Sequence, residues 1–525
     1  MATKRNTSRS TSRGGGKRAT SVAKKPARRA AAKASKRAPE FLDIAPLKGK
    51  LTKVAIVAVS ARAPGVPPRK RIHKRRLIPR VPTGAFQADA RPTGALSLRR
   101  PLDLSAGARG IAVPLADTDT IAFTRNVQLN DVATADSSSH VCEPSVAING
   151  DVVFFTGNWF AAVSTDGGQT FRHVDPYRAF PDPPGMEFCC DQVVHYIRKI
   201  DTFVWLLQYT EDEDGNNLQR LAFATTAEVR EGRWRLFDIT SQGLGLPGVF
   251  LDYPDLAVGT NRLYVTMNGF RGNAWDSTIL VRLPLAGIRS GTISADRFVS
   301  RDNFNFRVAQ NCGTTAYFAS HNTSSQIRVF KWRESAAQPT FKDVDVATWD
   351  EGNFSSITPD NHNWLERADP RMTGATLANG ELWFAWGSNR GGANHRPHPF
   401  VQIARLKAST LSLLENVSLW NASYAICYAA LATNSRKEVG ASYAIGGGDR
   451  HPSHVVGILT GTRREVETFA GNRGPRDAKW GDYLAVRRAY PNQKLFVASG
   501  YTLQAGTGTN DATPNLTIFG RSSDV

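Results

Sequence analysis

Four residues of this 525-residue chain stand where chemistry could take place, because each lies just before or at the start of a short apolar segment: Glu143, Asp191, Asp482 and Tyr483. Crowded carboxylates can work as acid and base when their pKa values are pushed apart. Tyr483 could act as a nucleophile with Glu143 or Asp482 as its base. This chemistry requires no cofactor, although clustered carboxylate oxygens also suit Ca²⁺. The alternative is that each acid caps its own turn through the backbone.

A second group of residues lies in Gly-rich loops that also contain Asn, Asp and His. Arginine forms paired hydrogen bonds with a carboxylate or phosphate, and tryptophan stacks on a sugar ring. These loops therefore predict a surface that binds an anionic glycan or another anionic ligand. The alternative is a polar loop rim with surface ion pairs. The predicted substrate-binding residues are Arg271, Trp275, Arg390, Arg396, Arg450 and His451.

Short apolar segments broken by Gly, Asn, Asp and Pro predict an all-β fold beyond residue 140. The clearest unit covers residues 145–174, where Asn149-Gly150 is a typical hairpin turn. Similar rounds recur about every 50 to 60 residues, which predicts a seven-bladed β-propeller, or six blades if one round is an insertion. The last round has three strands, so we expect a strand near 121–129 to close the ring.

The expected propeller geometry relates the two groups of candidate residues. The loop before the first strand of a blade and the loop between its second and third strands open on the same face, because each strand reverses direction. The acids and the arginines are therefore expected to share one face, which is the usual binding surface of a propeller.

The positive charge of the chain is concentrated at one end. Residues 1–80 hold 24 Lys and Arg against two acids, Glu40 and Asp43, whereas the rest is close to neutral. We therefore predict a disordered arm at 1–80, a linker at 81–119 and a propeller at 120–525. The arm is expected to bind nucleic acid or another polyanion through phosphate contacts; the alternative is a flexible solubilising extension.

Two further features bear on location. The longest apolar stretch of the first hundred residues, Val54–Val59, is far shorter than the roughly 20 residues that span a bilayer. We expect no transmembrane segment and no secretory signal, which favours the cytoplasm, with an organelle transit peptide as the alternative. The cysteines lack metal-ligand spacing and are expected to be small buried residues: Cys142, Cys189, Cys190, Cys312 and Cys427.

The turn between the third and fourth strands of the clearest unit reads Ser164-Thr165-Asp166-Gly167-Gly168-Gln169-Thr170-Phe171. The Asp166 carboxylate can accept backbone N–H bonds across the turn, and Gly168 allows its unusual dihedral angles. Phe171 would pack between blades. This segment resembles the Asp-box of sialidases and other BNR-repeat propellers, and its structural residues would be Ser164, Asp166, Gly168, Thr170 and Phe171.

The resemblance to the sialidase-like propeller family covers residues 140–525. Sialidases of this family use three arginines, a Tyr paired with a Glu as nucleophile, and an Asp as acid and base. We therefore expect a sialidase-like propeller that binds glycans or another partner through its arginine- and acid-rich loop face. The alternatives are an active sialidase-type glycoside hydrolase and a structural protein tethered to nucleic acid by its basic arm.

Overall fold

The computed structural model describes residues 46–50, 52–54, 102–103, 120–130, 138, 141–352, 354–476, 478–504 and 512–525. These residues form seven sheets that each contain four antiparallel strands, and three of the sheets have a fifth strand at one edge. Each sheet is one blade of a seven-bladed β-propeller. The fold predicted from the spacing of the apolar segments is therefore confirmed.

The blades follow one another along the chain, and each begins with its innermost strand. Blades 1 to 4 contain Ser145–Asn149, Val152–Gly157, Phe160–Ser164 and Arg172–Val174; Phe188–Ile197, Thr202–Tyr209, Leu218–Ala224 and Trp234–Thr240; Phe250–Val258, Arg262–Arg271, Ala274–Pro284 and Thr292–Ser300; and Arg307–Val308, Thr315–Thr323, Gln326–Arg333 and Thr340–Asp345. Blades 5 to 7 contain Met372–Ala378, Glu381–Ser388, Phe400–Lys407 and Ser412–Trp420; Ala425–Thr433, Val439–Gly447, Arg450–Ile458 and Arg464–Phe469; and Ala485–Arg488, Phe496–Leu503, Ala512–Arg521 and Ile121–Gln128.

Helices in the described residues are short. Helix α1 spans Thr226–Glu231 and α2 spans Leu285–Ser290, with 3-10 turns at Arg198–Ile200 and Ser522–Asp524. Helix α1 begins with a capping box, in which Thr225 and Glu228 satisfy each other's backbone N–H groups. None of the helices in this part of the chain is long and apolar enough to cross a membrane.

The first strands of the blades form the inner ring. Each contacts the first strand of the next blade, and blade 7 contacts blade 1, which closes the circle. A parallel bridge between Gln310 and Thr376 joins blades 4 and 5 and shows that these inner segments run in the same direction. The starting ends of the first strands therefore meet at one end of a central channel, and their finishing ends meet at the other.

Aromatic side chains fill the space between neighbouring blades. The ring centroid of Phe154 in blade 1 lies 5.0 Å from Trp205 and 5.2 Å from Trp234, both in blade 2. Because both faces of each sheet are covered, a strand can be buried over its whole length, and all residues of Thr202–Tyr209, the second strand of blade 2, are buried. Aromatic pairs of this kind contribute about 0.5–1.5 kcal/mol beyond their buried area.

The fourth strand of blade 7 comes from an earlier part of the chain than the other three. Ile121–Gln128 pairs antiparallel with Ala512–Arg521, and the Thr517 hydroxyl donates to the Asn126 side chain at 2.9 Å. Because this strand covers the edge of Ala512–Arg521, it satisfies backbone groups that would otherwise be exposed.

Three further strands add to the outer edges of blades. Pro46–Lys50 pairs with the last strand of blade 3, Thr52–Val54 with that of blade 2, and Leu102–Asp103 runs parallel to that of blade 5. Two of them fall within the arm predicted to be disordered, so that prediction is corrected there. The physical reason is that an outer strand offers unpaired backbone groups to any segment, whatever its side chains. The rest of 1–80, and the linker 81–119 apart from Leu102–Asp103, lie outside the described residues.

The inner ring leads to a prediction for Gly374, which lies in the first strand of blade 5. A Cβ atom there would stand 2.6 Å from the Ala429 backbone oxygen and 3.0 Å from Leu431 Cγ, both in blade 6. Gly374→Ala should therefore lower the free energy of unfolding by about 1–3 kcal/mol, as overpacking does. The measurement is urea unfolding followed by tryptophan fluorescence. Gly313→Ala is the matched control, because no atom lies within 4 Å of its Cβ position; equal stability of the two variants would refute the close packing of the ring.

Candidate functional site

Four buried acids gather where the first strands begin. Glu143 precedes blade 1, Asp191 and Asp252 lie in the first strands of blades 2 and 3, and Asp482 precedes blade 7. Each is at most 11% exposed, and Asp191 interacts electrostatically with the other three. We call these four residues the acidic mouth. Three of them are candidates that the sequence identified.

Glu143 links the two ends of the ring. One carboxylate oxygen accepts a hydrogen bond from the Asp482 backbone N–H at 2.9 Å, and the other accepts one from the Asn158 side chain at 2.7 Å. The Lys479 ammonium lies 3.6 Å from the same carboxylate. Burial raises the pKa of Glu143, and the charge of Lys479 opposes that shift. Glu143 therefore holds blade 1 to the segment that begins blade 7.

Two cations that the sequence did not single out reach Asp482. Lys479 lies 3.9 Å and Arg371 4.0 Å from its carboxylate. Arg371 is held by Asp369, whose oxygens accept from its Nε at 2.7 and 2.9 Å, and its guanidinium lies 4.2 Å from the centroid of the Tyr253 ring. The only sequence signal was the short spacing between Asp369 and Arg371 and between Lys479 and Asp482.

The acids of the mouth have opposite pKa shifts. Burial raises the pKa of Asp191 well above its usual value, and the charges of Glu143, Asp252 and Asp482 add to that shift. Burial also acts to raise the pKa of Asp482, but the charges of Lys479 and Arg371 outweigh it and lower that pKa. The site thus combines one carboxyl whose pKa is raised with one whose pKa is lowered, which is the direction of difference between an acid and a base.

Tyr483 lies beside this group. Its hydroxyl donates to the Gln192 carbonyl at 3.3 Å, and its ring centroid is 6.1 Å from that of Tyr253. Burial and the negative charges of Asp191 and Glu143 raise the pKa of Tyr483 well above its usual value. Its role as nucleophile remains a prediction, and these surroundings disfavour the phenolate.

The predicted binding residues lie in or beside the hairpins between the second and third strands of blades 3, 5 and 6: Arg271, Trp275, Arg390, Arg396, Arg450 and His451. Arg271 pairs with Asp276 at 2.9 Å, and Arg450 pairs with Glu467 at 2.6 Å. Both contacts stay within one blade. The arginine that the structure brings to Asp482 is instead Arg371.

The other predicted binding residues also have neighbours in their own region. Arg396 lies 4.3 Å from the Trp420 ring centroid, and the Trp275 ring centroid is 5.8 Å from that of Phe304. Arg390 is exposed. His451 Nδ1 lies 3.3 Å from Asp360 in the segment before blade 5. These positions form a rim, and their role in binding remains a prediction.

A disulfide joins Cys189 to Cys190 immediately before Asp191. The expectation that both would be small buried residues was wrong, because the two thiols are bonded to each other and their residues are half-buried. Gln208 links this pair to the acidic mouth, since its amide lies 3.7 Å from the Cys190 sulfur and donates to Asp252 at 2.9 Å. Adjacency of the two cysteines was the only signal in the sequence.

No three His, Cys, Asp or Glu side chains in the described part of the chain are placed to hold a metal ion. At the acidic mouth, Lys479 and Arg371 supply positive charge that the sequence interpretation assigned to Ca²⁺. The Ca²⁺ prediction therefore has no ligand set among these residues.

The Ser164–Phe171 turn packs on blade 7. The Asp166 carboxylate accepts backbone N–H bonds from Gln169 and Thr170 at 2.9 and 3.0 Å, while the Ser164 hydroxyl accepts from Gly168 N–H at 2.8 Å. Gly168 has φ +82°, and a Cβ there would stand 2.4 Å from Leu516. Burial acts to raise the pKa of Asp166. The hydrogen bonds from Thr170, Ser164 and Gln169 outweigh this effect, so the pKa is lowered. This turn stabilises structure at a place separate from the mouth.

Comparisons with known proteins find distantly similar solved structures and no family. No protein-family model and no curated protein matches the chain. Similar solved structures include an α-L-arabinanase of Penicillium chrysogenum with arabinobiose, at 11% identity over 76% of this chain and 98% of that one, with TM-score 0.37. An α-L-arabinofuranosidase of Fusarium graminearum with arabinobiose has 11% identity over 74% of this chain and 94% of its own, with TM-score 0.38. The Dos1 propeller has 6% identity over 77% of this chain and 96% of its own, with TM-score 0.41. At such values we draw no functional argument from them, and the sialidase resemblance remains an expectation from the sequence.

The opposite pKa shifts predict opposite effects of two amide substitutions on stability. A group whose pKa is raised on folding stabilises the fold at pH values below its unfolded-state pKa. This contribution is lost as the pH rises through its folded-state pKa. Asp191→Asn should therefore raise the free energy of unfolding at pH 7 by at least about 1 kcal/mol, with the gain fading towards pH 4.

The pKa of Asp482 is lowered, so this group stabilises the fold at pH values above its unfolded-state pKa. Asp482→Asn should lower stability by about 3 kcal/mol at pH 7, because buried Lys479 and Arg371 each lose one of their two countercharges.

Urea unfolding between pH 4 and pH 8 measures both effects. Asp343→Asn is the control, since Asp343 pairs with Arg328 at 2.7 Å in the outer part of blade 4 and is about one-third exposed. Its removal should change stability by less than about 1 kcal/mol. Changes of the same sign in the two mouth variants would contradict the assigned charge states.

Proposed function

We propose that this propeller acts on carbohydrate, with the acidic mouth as a glycoside-hydrolase site. The observation that carries the proposal is the contrast between Asp191, whose pKa is raised, and Asp482, whose pKa is lowered. Hydrolysis of a glycosidic bond needs one protonated carboxyl and one ionised carboxylate on the two sides of the bond. The acidic mouth offers both groups within one electrostatically coupled cluster.

Each group has a defined task in the proposed reaction. Asp191 donates its proton to the oxygen of the leaving sugar as the bond breaks. Asp482 accepts a proton from the attacking water or stabilises the positive charge that develops on the sugar ring. Lys479 and Arg371 keep Asp482 ionised, and the Arg371 guanidinium, fixed between Asp369 and the Tyr253 ring, is positioned to orient an anionic sugar.

A sialidase-type reaction is the alternative within the same site. It would use Tyr483 as the nucleophile and Glu143 as its base, and both side chains lie in the buried cluster around Asp191. That route requires the Tyr483 hydroxyl to leave the Gln192 carbonyl that now accepts its hydrogen bond. The site of binding would be the same, with the predicted rim arginines contacting the outer part of the glycan.

Asp191→Asn is the sharpest test of hydrolysis, because this variant is expected to remain folded. Oligosaccharide substrates should lose about 10²- to 10⁴-fold in kcat, since the leaving sugar then receives no proton. Aryl glycosides with acidic phenol leaving groups should lose much less, because such groups depart without a proton. The measurement is kcat on a panel of oligosaccharides and matched aryl glycosides, including arabinosides and sialosides.

Further variants separate the alternatives. Asp343→Asn should retain full activity, and loss of sialoside turnover in Tyr483→Phe alone would support the sialidase route. Glycan binding by calorimetry without turnover of any substrate would exclude hydrolysis and leave a carbohydrate-binding propeller. Equal losses for oligosaccharides and aryl glycosides in Asp191→Asn would contradict its role as the acid.

A second proposal concerns the basic arm, 1–80, and rests on its 24 Lys and Arg residues. We propose that it binds nucleic acid through phosphate contacts. Affinity of the full chain for duplex DNA should fall linearly on a plot of log K against log salt, with a slope of about −0.9 per phosphate neutralised. Gel shifts across a salt series measure this slope. Removal of residues 1–40, which leaves the strand Pro46–Lys50 in place, should reduce the slope; an unchanged slope would locate binding elsewhere.

A further inference from the structure

The end of the channel opposite the acidic mouth contains a cavity. It has a volume of about 470 Å³ and is lined where first strands finish, in blades 2, 3, 6 and 7, and by the segment that follows the first strand of blade 4. This volume is within the range of small-molecule sites. The residues of the acidic mouth do not line it.

The charged side chains around this cavity are all basic. The lining contains Arg198, Lys199, Arg487 and Arg488 and no Asp or Glu among the described residues. No ion pair with a carboxylate is formed by Arg198, Lys199 or Arg488 in the described part of the chain. An uncompensated cluster of this kind attracts anions, because a partly buried charge gains most from a countercharge.

Arg488 is fixed by neutral groups. Its Nε donates to the Thr433 carbonyl at 2.9 Å, and its Nη2 donates to the Asn311 side chain at 2.8 Å and the Asn434 carbonyl at 3.2 Å. These bonds hold the guanidinium in one orientation without neutralising it. Burial lowers the pKa of Arg488, and the nearby charge of Arg198 lowers it further. A bound anion would relieve this repulsion.

Arg487 adds charge from the channel side of the cavity. Arg487 and Arg307 share one carboxylate, Asp255, with the Arg487 Nη2 atom 3.8 Å from it and Arg307 in closer contact. One positive charge of this trio therefore has no countercharge within it. The Nε atom of Arg487 is buried without a hydrogen-bond partner among the described residues, and the side chain is only 9% exposed. A buried unpaired donor is costly unless a ligand or water satisfies it.

An aromatic pair lines the same cavity. The ring centroids of Tyr196 and Tyr490 are 5.3 Å apart, with an angle of 63° between the ring planes. These rings offer an apolar surface beside the guanidinium groups. The combination suits an organic anion with an apolar or ring portion.

We propose that this cavity is a binding site for a small organic oxyanion, a phosphate ester or a carboxylate, with Arg488 as a fixed positive charge and Arg198 and Lys199 as the hydrogen-bond donors at the rim. Arginine forms paired hydrogen bonds with either anion, so the two share one recognition chemistry. The site is separate from the proposed hydrolase site, and its occupancy does not depend on the chemistry there.

Titration calorimetry on the full chain tests the proposal with two probes, inorganic phosphate and citrate. At least one should bind, and the tighter of the two identifies the anion class. The double variant Arg198→Gln/Lys199→Gln should weaken that binding about tenfold or more, as expected for the loss of charge-assisted hydrogen bonds. Both side chains are exposed, so this variant should fold. Arg488→Gln should weaken binding similarly, with its fold verified by near-UV circular dichroism.

Arg289→Gln is the matched control, because Arg289 is an exposed cation on α2 that does not line the cavity. It should bind the anion as the unaltered chain does. Asp191→Asn, which is expected to remain folded, should also retain anion binding, and this distinguishes failure of this site from failure of the acidic mouth. Binding of neither probe, or equal weakening in the double variant and in Arg289→Gln, would overturn the proposal.

Discussion

The closure of seven first strands into one ring is the constraint on which the rest of the structure depends. It brings the Glu143 carboxylate to the backbone of Asp482, a residue 339 positions away in the chain. It also places the finishing ends of the same strands around a basic cavity. An open row of sheets would build neither, because the side chains at each end come from several blades.

Buried charges are largely compensated at one end of the channel and uncompensated at the other. At the acidic mouth, Lys479 and Arg371 stand among carboxylates, so the charges largely compensate each other. Buried ion pairs stabilise a protein weakly, because removal from water costs about as much as the pairing returns. Ion pairing alone therefore contributes little net stability at this depth, and the chemical role of these charged groups is the one proposed above.

Much of the fold could be predicted from the sequence because it is encoded locally. The Asn149-Gly150 hairpin and the regular spacing of apolar segments each depend on neighbouring residues. The acids at 143, 191 and 482 could be found because each stands at the same place in its blade. Arg371 and Lys479 could not be found, because their importance comes from contacts across blades. Arg271 looked similar in the sequence, yet Asp276 in the same hairpin holds it.

The strand Ile121–Gln128 has a consequence for biosynthesis. During translation it leaves the ribosome long before its partner, Ala512–Arg521, and the hydrogen bond from Thr517 to Asn126 spans 391 positions. Until that partner is made, the nascent chain carries an unpaired strand and an open sheet edge, both of which favour aggregation. Such distant pairing also slows folding. Cells that make this protein would therefore benefit from chaperones that shield the early segment until synthesis of the last blade is complete.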